Sequence, residues 1–265
     1  MITINELYTY PVKSTKGIHR EKVEVSTTGL YNDRMVAIID SNNRIVTGRE
    51  HPKLLLLSTE LTDTVIVIDA QIHMVTFRLP QEGFQLELKL FRNKIMGLPF
   101  NTEANDWISE YLAGAYRLVY LGKNNRPIPE KRGGNPEDRT GFTDSSPIHL
   151  VNLDSLKQLN LKLKQNVTVR NFRPNIVVSG ATAFEEDGWK YIKINGMDFR
   201  VQERTQRCIF TTIHPLTAQV NTEMQPLATI ARMRLKQAKK PTFGINLIPM
   251  GKGVISQNDI LTIIS

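Results

Sequence analysis

The sequence predicts a β-rich α+β fold, and three features of the chain support this prediction. Short runs of alternating or apolar residues follow one another closely through residues 1–100, as in a β-barrel or β-sandwich. The second half of the chain mixes such runs with stretches of helical periodicity. Residues 122–141, between the two halves, are polar and contain several glycines and prolines, which is typical of a long loop. We therefore predict two domains, residues 1–121 and 122–265.

Most of the first domain is predicted to form strands. Ser41-Asn42-Asn43 turns the apolar run 35–40 back into residues 44–47 as a hairpin, and polar turns separate the later strands. The predicted strands are residues 3–12, 22–25, 35–40, 44–47, 54–57, 65–68, 75–79, 84–90 and 116–121. One helix is predicted over residues 101–113, because Trp107 and Ile108 share an apolar face and Gly114 ends it.

The second domain is predicted to mix helices with strands. Asn152 can cap a helix in which leucines recur at helical spacing from Leu153 to Leu163. Pro226 can open another helix that continues to Lys236, since proline is favoured in the first helical turn. The predicted strands are residues 175–179, 191–194, 199–201, 209–213 and 260–264.

The composition describes a globular protein with an excess of positive charge. The 265 residues are 40% hydrophobic and carry a formal net charge of +8. No apolar run approaches membrane-spanning length and the amino-terminal residues lack signal-peptide character, so we expect a cytoplasmic protein with no membrane partner. The charge favours anionic partners, but no nucleic-acid-binding motif is recognisable and no specific nucleic acid is expected. A phosphate-bearing cofactor would account for part of the excess charge.

The only cysteine of the chain, Cys208, is the strongest indication of chemistry. One thiol cannot form an internal disulfide, a zinc site or an iron–sulfur cluster. It can bind a soft metal whose other ligands come from a cofactor, or attack an electrophile. Arg207 directly before it supplies positive charge that favours the reactive thiolate, and alternation along the predicted strand 209–213 should turn Thr211 or Thr212 to the side of the sulfur. A lone cysteine can equally be an inert small apolar residue.

Two segments of the first domain place basic and hydroxyl side chains beside a glycine or a proline. In residues 10–18, Lys13 and Ser14 can offer a point charge and a hydroxyl to a phosphate. In residues 29–34, Asp33 can orient the Arg34 guanidinium toward an anion. The alternatives are a lysine–serine surface turn for the first segment and a local ion pair for the second.

A third segment, residues 171–175, lies just before a predicted strand. Arg173 can grip an anion or a planar heterocycle, and Asn171 and Asn175 offer both donors and acceptors. A surface arginine is the alternative. A Cys-His pair is conceivable because His149 and His214 exist, but structural roles are favoured for both histidines.

Taken together, these segments resemble the MOSC family of molybdenum-cofactor proteins, in the group that includes the mitochondrial amidoxime-reducing component and its bacterial relatives. The similar segments keep the family's order and span nearly the whole chain. In the first half they are residues 10–14, 29–34 and 47–52, and in the second half residues 142–144, 171–175, 184–189 and 207–212.

The resemblance implies an amino-terminal β-barrel-like domain that packs on a MOSC β-barrel domain with a few helices, with the pterin between them. It implies that Cys208 is the protein's ligand to molybdenum. Asp144 is a candidate for proton handling because of its neighbourhood alone. The candidate cofactor-binding residues are Lys13, Ser14, Arg34, Ser145, Ser146, Asn171, Arg173, Asn175, Arg207 and Thr211.

We therefore predict an oxidoreductase that binds the molybdenum cofactor, Mo-molybdopterin, and reduces N-hydroxylated small molecules such as hydroxylamino-purines or amidoximes. A single cysteine cannot hold an iron–sulfur cluster, so the electrons are expected from a separate flavin or iron–sulfur reductase. Pyridoxal phosphate is not expected. An alternative function is a non-redox carrier, in which Cys208 holds a persulfide or the domain only stores or delivers the cofactor. A basic nucleic-acid-binding protein is a further alternative, marked by binding that falls with salt and ignores Cys208.

Overall fold

The computed structural model describes residues 1–71, 73–234 and 240–265, and it confirms the β-rich α+β fold. Its strands are β1 (Ile2–Thr9), β2 (Ile18–Arg20), β3 (Lys22–Ser26), β4 (Gly29–Leu30), β5 (Val36–Ile39), β6 (Ser58–Leu61), β7 (Val65–Asp69), β8 (Met74–Arg78), β9 (Leu86–Leu90), β10 (Asn93–Pro99), β11 (Arg117–Tyr120), β12 (Arg126–Pro127), β13 (Arg139–Thr140), β14 (Ile148–Asn152), β15 (Ile176–Ser179), β16 (Tyr191–Ile194), β17 (Met197–Gln206), β18 (Thr242–Pro249), β19 (Gly253–Ser256) and β20 (Ile260–Ile263). Its α-helices are α1 (Thr102–Leu112), α2 (Leu153–Asn160) and α3 (Leu227–Arg234). No helix within the described ranges is long and apolar enough to cross a membrane.

Seven strands form a closed β-barrel. The strands follow one another around it in the order β1, β15, β14, β18, β17, β16 and β20, after which β20 pairs with β1. Neighbouring strands are antiparallel except for the parallel pair β14–β15. The interior is filled by fully buried apolar side chains such as Ile4, Ile148 and Phe199, whose removal from water is the main favourable contribution to folding.

Strand β1 closes this barrel, although it comes from the opposite end of the chain to most of its neighbours. It pairs with β15 along one edge and with β20 and β2 along the other. Its side chains Ile4 and Leu7 are completely buried in the barrel core. The small sheet β19-β3-β4 adds Val23, Val25 and Ile255 to the same core.

The rest of the first half forms two further sheets and a helix. One sheet has the order β5-β11-β10-β9 and the other β6-β7-β8. Helix α1 packs its Ile108 side into a core shared with these sheets. The Asn101 side chain accepts a hydrogen bond from the Ala104 N–H at 3.1 Å, which caps the helix start.

Three predicted strands are wrong. Residues 44–47 form only isolated bridges, from Ile45 to Ile39 and from Arg44 to Lys89. The other two are short 3₁₀ turns. Residues 54–57 lie largely within the turn Pro52–Leu56, where the proline favours turn entry over strand pairing. Residues 209–213 lie largely within the turn Ile209–Thr212. There the Thr211 and Thr212 hydroxyls donate to the carbonyls of Cys208 and Ile209, at 2.9 and 2.7 Å, and this local bonding competes with a strand.

Other boundaries also differ from the prediction. Strand β17 runs for ten residues where only 199–201 were predicted. The strands that were not predicted are β2, β4, β6, β10, β12, β13, β14, β18 and β19. Helix α2 stops at Asn160, so Leu163 lies beyond its end. Helix α3 is confirmed as far as Arg234, and the predicted continuation to Lys236 lies outside the described residues.

Candidate functional site

A cavity of about 150 Å³ lies where the two halves of the chain meet. Residues 13–14, 34, 47 and 49 of the first half line one side. The other side is lined by residues that follow β13, precede β15, follow β17 or lie within β14, β17 and β18. All but one of the predicted site residues line this cavity, and the exception is Asn171. The predicted residues that line it are Lys13, Ser14, Arg34, Asp144, Ser145, Ser146, Arg173, Asn175, Arg207, Cys208 and Thr211.

Cys208 sits between the end of β17 and the turn Ile209–Thr212. Its side chain is half-buried, and its sulfur accepts a hydrogen bond from the Arg49 Nε at 3.2 Å. Asn171 lies behind this turn, where its Nδ2 donates to the carbonyls of Thr211 at 3.3 Å and Ile213 at 3.5 Å. Asn171 therefore holds the cysteine-bearing segment rather than lining the cavity.

Five cationic side chains surround the cavity, against a single carboxylate. The cations are Lys13, Arg34, Arg49, Arg173 and Arg207, and the carboxylate is Asp144. Burial lowers the pKa of Arg173 and of Arg207 to about 10, so both stay charged at neutral pH. A buried excess of positive charge is costly unless an anion compensates it. The cavity is therefore suited to an anionic ligand.

Aromatic stacking and a buried carboxylate fix the orientation of two of these arginines. The guanidinium groups of Arg34 and Arg173 lie 4.1 and 4.2 Å from the centre of the Tyr10 ring. Arg34 is paired with Asp33 and donates to the Asn175 Oδ1 at 3.0 Å. Such anchoring reduces the entropy lost when an arginine binds a ligand.

Three residues at the cavity adopt a left-handed backbone that is uncommon for side chains other than glycine. They are Ser14, Arg34 and Arg173, with φ of 75°, 51° and 56°. Each such residue costs about 1–3 kcal/mol, and such residues concentrate at functional sites. The strain thus coincides with three residues that the sequence had singled out.

Asp144 lies at the mouth of the cavity between two cations. It pairs with the Lys13 ammonium and accepts a hydrogen bond from the Arg49 Nη2 at 2.6 Å. Burial opposes its ionisation, but Lys13 and Arg49 outweigh that effect and hold the pKa of Asp144 well below its usual range. Its side chain is 44% exposed, so solvent weakens this effect without reversing it. Asp144 is therefore a carboxylate at neutral pH.

Arg207, a predicted site residue, pairs in the cavity wall with His149, for which a structural role was favoured. Arg207 Nη2 donates to the Phe172 carbonyl at 2.8 Å, and its Nη1 lies 3.1 Å from the His149 Nε2. Burial, aided by the Arg207 charge, holds the pKa of His149 well below its usual value. A neutral His149 accepts from Arg207 at Nε2 and donates from Nδ1 to the Ile245 carbonyl at 3.2 Å. The buried Nε of Arg207 has no partner within the described residues.

Sequence reasoning also left Thr47, Arg49, Asn246 and Phe210 out of the site. Arg49 lies within the segment 47–52 that carried part of the family resemblance, so a signal was present for it. Asn246 lies on β18, a strand that was not predicted. Within the described residues no group of three or more histidine, cysteine, aspartate or glutamate side chains is placed to share a metal ion.

Comparisons with known proteins find one domain of the MOSC type in each half of the chain. Residues 1–115 match the MOSC N-terminal β-barrel domain, and residues 137–262 match the MOSC domain. Mitochondrial amidoxime reducing component 2 of Bos taurus is 31% identical over 92% of this chain and 77% of its own length. Mitochondrial amidoxime-reducing component 1 of Homo sapiens is 28% identical over 97% of this chain and 81% of its own length.

Proposed function

Because this chain belongs to the MOSC family, we propose that it binds the molybdenum cofactor and uses it to reduce N-hydroxylated compounds. The observation that carries the proposal is the position of Cys208, a half-buried thiol in the wall of a cavity with five cationic side chains. Thiolates suit soft metal ions, and lysine and arginine suit phosphate. One cavity thus offers donors for both parts of a metal–pterin phosphate.

The residues present fit this cofactor. Cys208 would be the protein's ligand to the metal. Lys13, Ser14, Arg34, Arg173 and Asn175 would line the pterin and its phosphate. The unpartnered Nε of Arg207 supports this assignment, because a buried donor without an acceptor is expected to meet one on a ligand. When bound, the cofactor supplies two-electron redox chemistry at the metal, which none of these side chains provides.

The substrate class is proposed from the relatives, whose names describe the reduction of amidoximes. In the overall reaction an N-hydroxylated compound takes up two electrons and two protons, its N–O bond breaks, and an amine or amidine leaves with one water. The chain's own part is to orient the substrate and supply protons. At the cavity mouth the Asp144 carboxylate can accept an N–H or O–H of the substrate, and the Lys13 Nζ carries a proton beside it.

The electrons are proposed to come from a separate flavin or iron–sulfur protein. The chain has a single cysteine, which cannot hold an iron–sulfur cluster. If Cys208 ligates the metal, the chain has no thiol left for a second redox centre.

The test is the molybdenum and pterin content of the chain purified from a host that makes molybdopterin. We expect about one molybdenum per chain, and a loss of most of it in Cys208→Ser. Thr217→Ser, an exposed change nine residues along the same segment, is the matched control and should keep the metal. Sulfane sulfur on Cys208 without molybdenum would instead identify the persulfide carrier. If the unsubstituted protein carried no molybdenum and no sulfane sulfur, both functions would be ruled out.

A further inference from the structure

Arg49 joins the two halves of the site, and neither the sequence reasoning nor the proposed function gives it a role. Its Nε donates to the Cys208 sulfur at 3.2 Å and its Nη2 donates to the Asp144 Oδ2 at 2.6 Å. The partners lie 159 and 95 residues away along the chain. One planar guanidinium therefore fixes a candidate metal ligand and a candidate proton acceptor at the same time.

The backbone around Arg49 delivers this side chain to the cavity. The N–H groups of Glu50 and His51 both donate to the Thr47 carbonyl, at 2.9 and 3.0 Å, which makes a tight turn. Gly48 allows the turn to approach the cysteine-bearing segment, because a Cβ at this position would lie 2.4 Å from the Phe210 ring. Any larger residue at Gly48 would move Phe210 or Arg49.

Two aromatic rings limit where the guanidinium can go. The central carbon of the Arg49 guanidinium, Cζ, lies 5.4 Å from the centre of the Phe91 ring and 5.9 Å from the centre of the Phe210 ring. The Arg49 side chain is 25% exposed, so it is partly desolvated. A cation held near ring faces gains about 0.5–2 kcal/mol, depending on exposure. Arg49 is thus held in one orientation before any ligand arrives.

We propose that Arg49 is a positioning residue that orients the Cys208 sulfur toward the metal and tunes the metal through its hydrogen bond to that sulfur. This inference rests on the proposed function. A donor on a ligand sulfur and a nearby positive charge both stabilise the more electron-rich state of a metal, and so raise its reduction potential. The second bond, to Asp144, holds the guanidinium in the plane that the first bond needs.

A purely structural role is the competing explanation. Arg49 would then only latch the two halves of the chain together, and any residue that pairs with Asp144 would replace it. Lysine separates the two explanations, because it keeps the charge but cannot make both bonds from one rigid plane.

The experiment compares Arg49→Gln and Arg49→Lys with the unsubstituted protein, each purified from a molybdopterin-producing host. The readouts are molybdenum and pterin per chain after dialysis, the Mo(V) electron paramagnetic resonance spectrum and the midpoint potential. Arg92→Gln is the matched control, since it removes the same charge from an exposed position beside Phe91. Thermal unfolding of the cofactor-free proteins shows whether each variant is folded.

We expect Arg49→Gln to remain folded, to hold the cofactor about 10- to 100-fold more weakly, and to show a lower midpoint potential and an altered spectrum. Arg49→Lys keeps the positive charge, so it should recover part of the molybdenum and part of the potential, but not the spectrum, which depends on the lost hydrogen bond to the sulfur. Full recovery of all three by lysine would overturn the inference, because charge alone would then suffice. If the molybdenum content, the potential and the spectrum were all unchanged in Arg49→Gln, the role proposed for Arg49 would be overturned and the proposed function would stand. Absence of molybdenum from the unsubstituted protein would remove the proposed function and this inference together.

Discussion

At the scale of single residues, His149 shows how a histidine beside a cationic cavity is kept neutral. It is 8% exposed, and its Nε2 faces the Arg207 guanidinium at 3.1 Å. A proton added at Nε2 would remove the acceptor for Arg207 and place two positive charges in contact. The folded protein therefore resists protonation of His149, whereas the unfolded chain takes up a proton near pH 6.5.

This difference predicts a pH dependence of stability. Below about pH 6.5 the unfolded state binds one proton more than the folded state at this position, so the free energy of unfolding falls as the pH falls. We expect the unsubstituted protein to lose up to about 1.4 kcal/mol per pH unit relative to His149→Gln between pH 6.5 and pH 5. Urea unfolding of the two cofactor-free proteins across this pH range measures the difference between their free energies of unfolding.

The same two proteins at pH 7 to 9 are the control, and there their free energies of unfolding should run parallel. Parallel curves below pH 6.5 as well would mean that His149 takes up a proton in the folded state. The assignment of the His149 Nε2 as the acceptor of a hydrogen bond from Arg207 would then be wrong.

The sequence predicted most residues of the cavity but not those that connect them. Cys208, Lys13 and Arg173 were found because each stands in a short segment with a chemical character of its own. Arg49 and His149 were missed because their roles depend on partners 159 and 58 residues away, and local patterns carry no such information.

At the scale of elements, the turn Ile209–Thr212 decides where the cysteine points. A strand would have continued β17 past Cys208, but the threonine hydroxyls bond back to the carbonyls three residues earlier. The turn is further held by the Asn171 Nδ2, which bonds the carbonyls of Thr211 and Ile213. The side chain of Asn171 is therefore the external support of the cysteine segment.

We expect Asn171→Ala to destabilise the protein by about 1 kcal/mol, since these bonds are long and the freed carbonyls reach solvent poorly. The loosened turn should also lower the molybdenum retained by the chain. Urea unfolding and metal analysis measure the two effects. Asn166→Ala, at an exposed position of the preceding loop, is the control and should change stability by less than about 0.5 kcal/mol. Equal stability of the two variants would contradict the support assigned to Asn171.

The part of β17 that the sequence missed has a physical cause. The second half of β17 is polar, from Gln202 to Gln206, and most of these side chains are only partly buried, so neither apolar alternation nor an apolar run marks a strand. The strand persists because β18 pairs with it from Phe199 to Gln206, with two register shifts. Tertiary pairing here overrides local propensity. The helix over residues 101–113 was predictable because its apolar face and the glycine at position 114 are both local signals.

At the scale of the whole molecule, the barrel needs strands from both ends of the chain. Six of its strands lie between residues 148 and 263, and β1 supplies the seventh. The predicted boundary between residues 121 and 122 stays a prediction, but it separates β1 from the six other strands. This could not be predicted, because the alternation of residues 3–12 does not reveal which strands they pair with.

We therefore expect a fragment of residues 122–265 not to fold cooperatively on its own. Without β1, strands β15 and β20 would present open edges, and the core would lose the buried side chains of Ile4 and Leu7. Near-ultraviolet circular dichroism and thermal unfolding of the fragment measure this, with the full chain as reference. A circularly permuted fragment that carries residues 1–21 after residue 265 should regain a cooperative transition. Cooperative unfolding of residues 122–265 alone, at the temperature of the full chain, would contradict it.

The closure of the barrel by β1 also has a consequence for biosynthesis. A ribosome makes β1 before the six other barrel strands and β20 after them, so β1 must wait without its final neighbour until the rest of the barrel has been translated. During that time its apolar side chains are open to unwanted contacts, which is the situation in which chaperones act. The barrel cannot close until residue 263 has been translated, so the synthesis of β20 sets the earliest moment at which the nascent polypeptide can enclose its core.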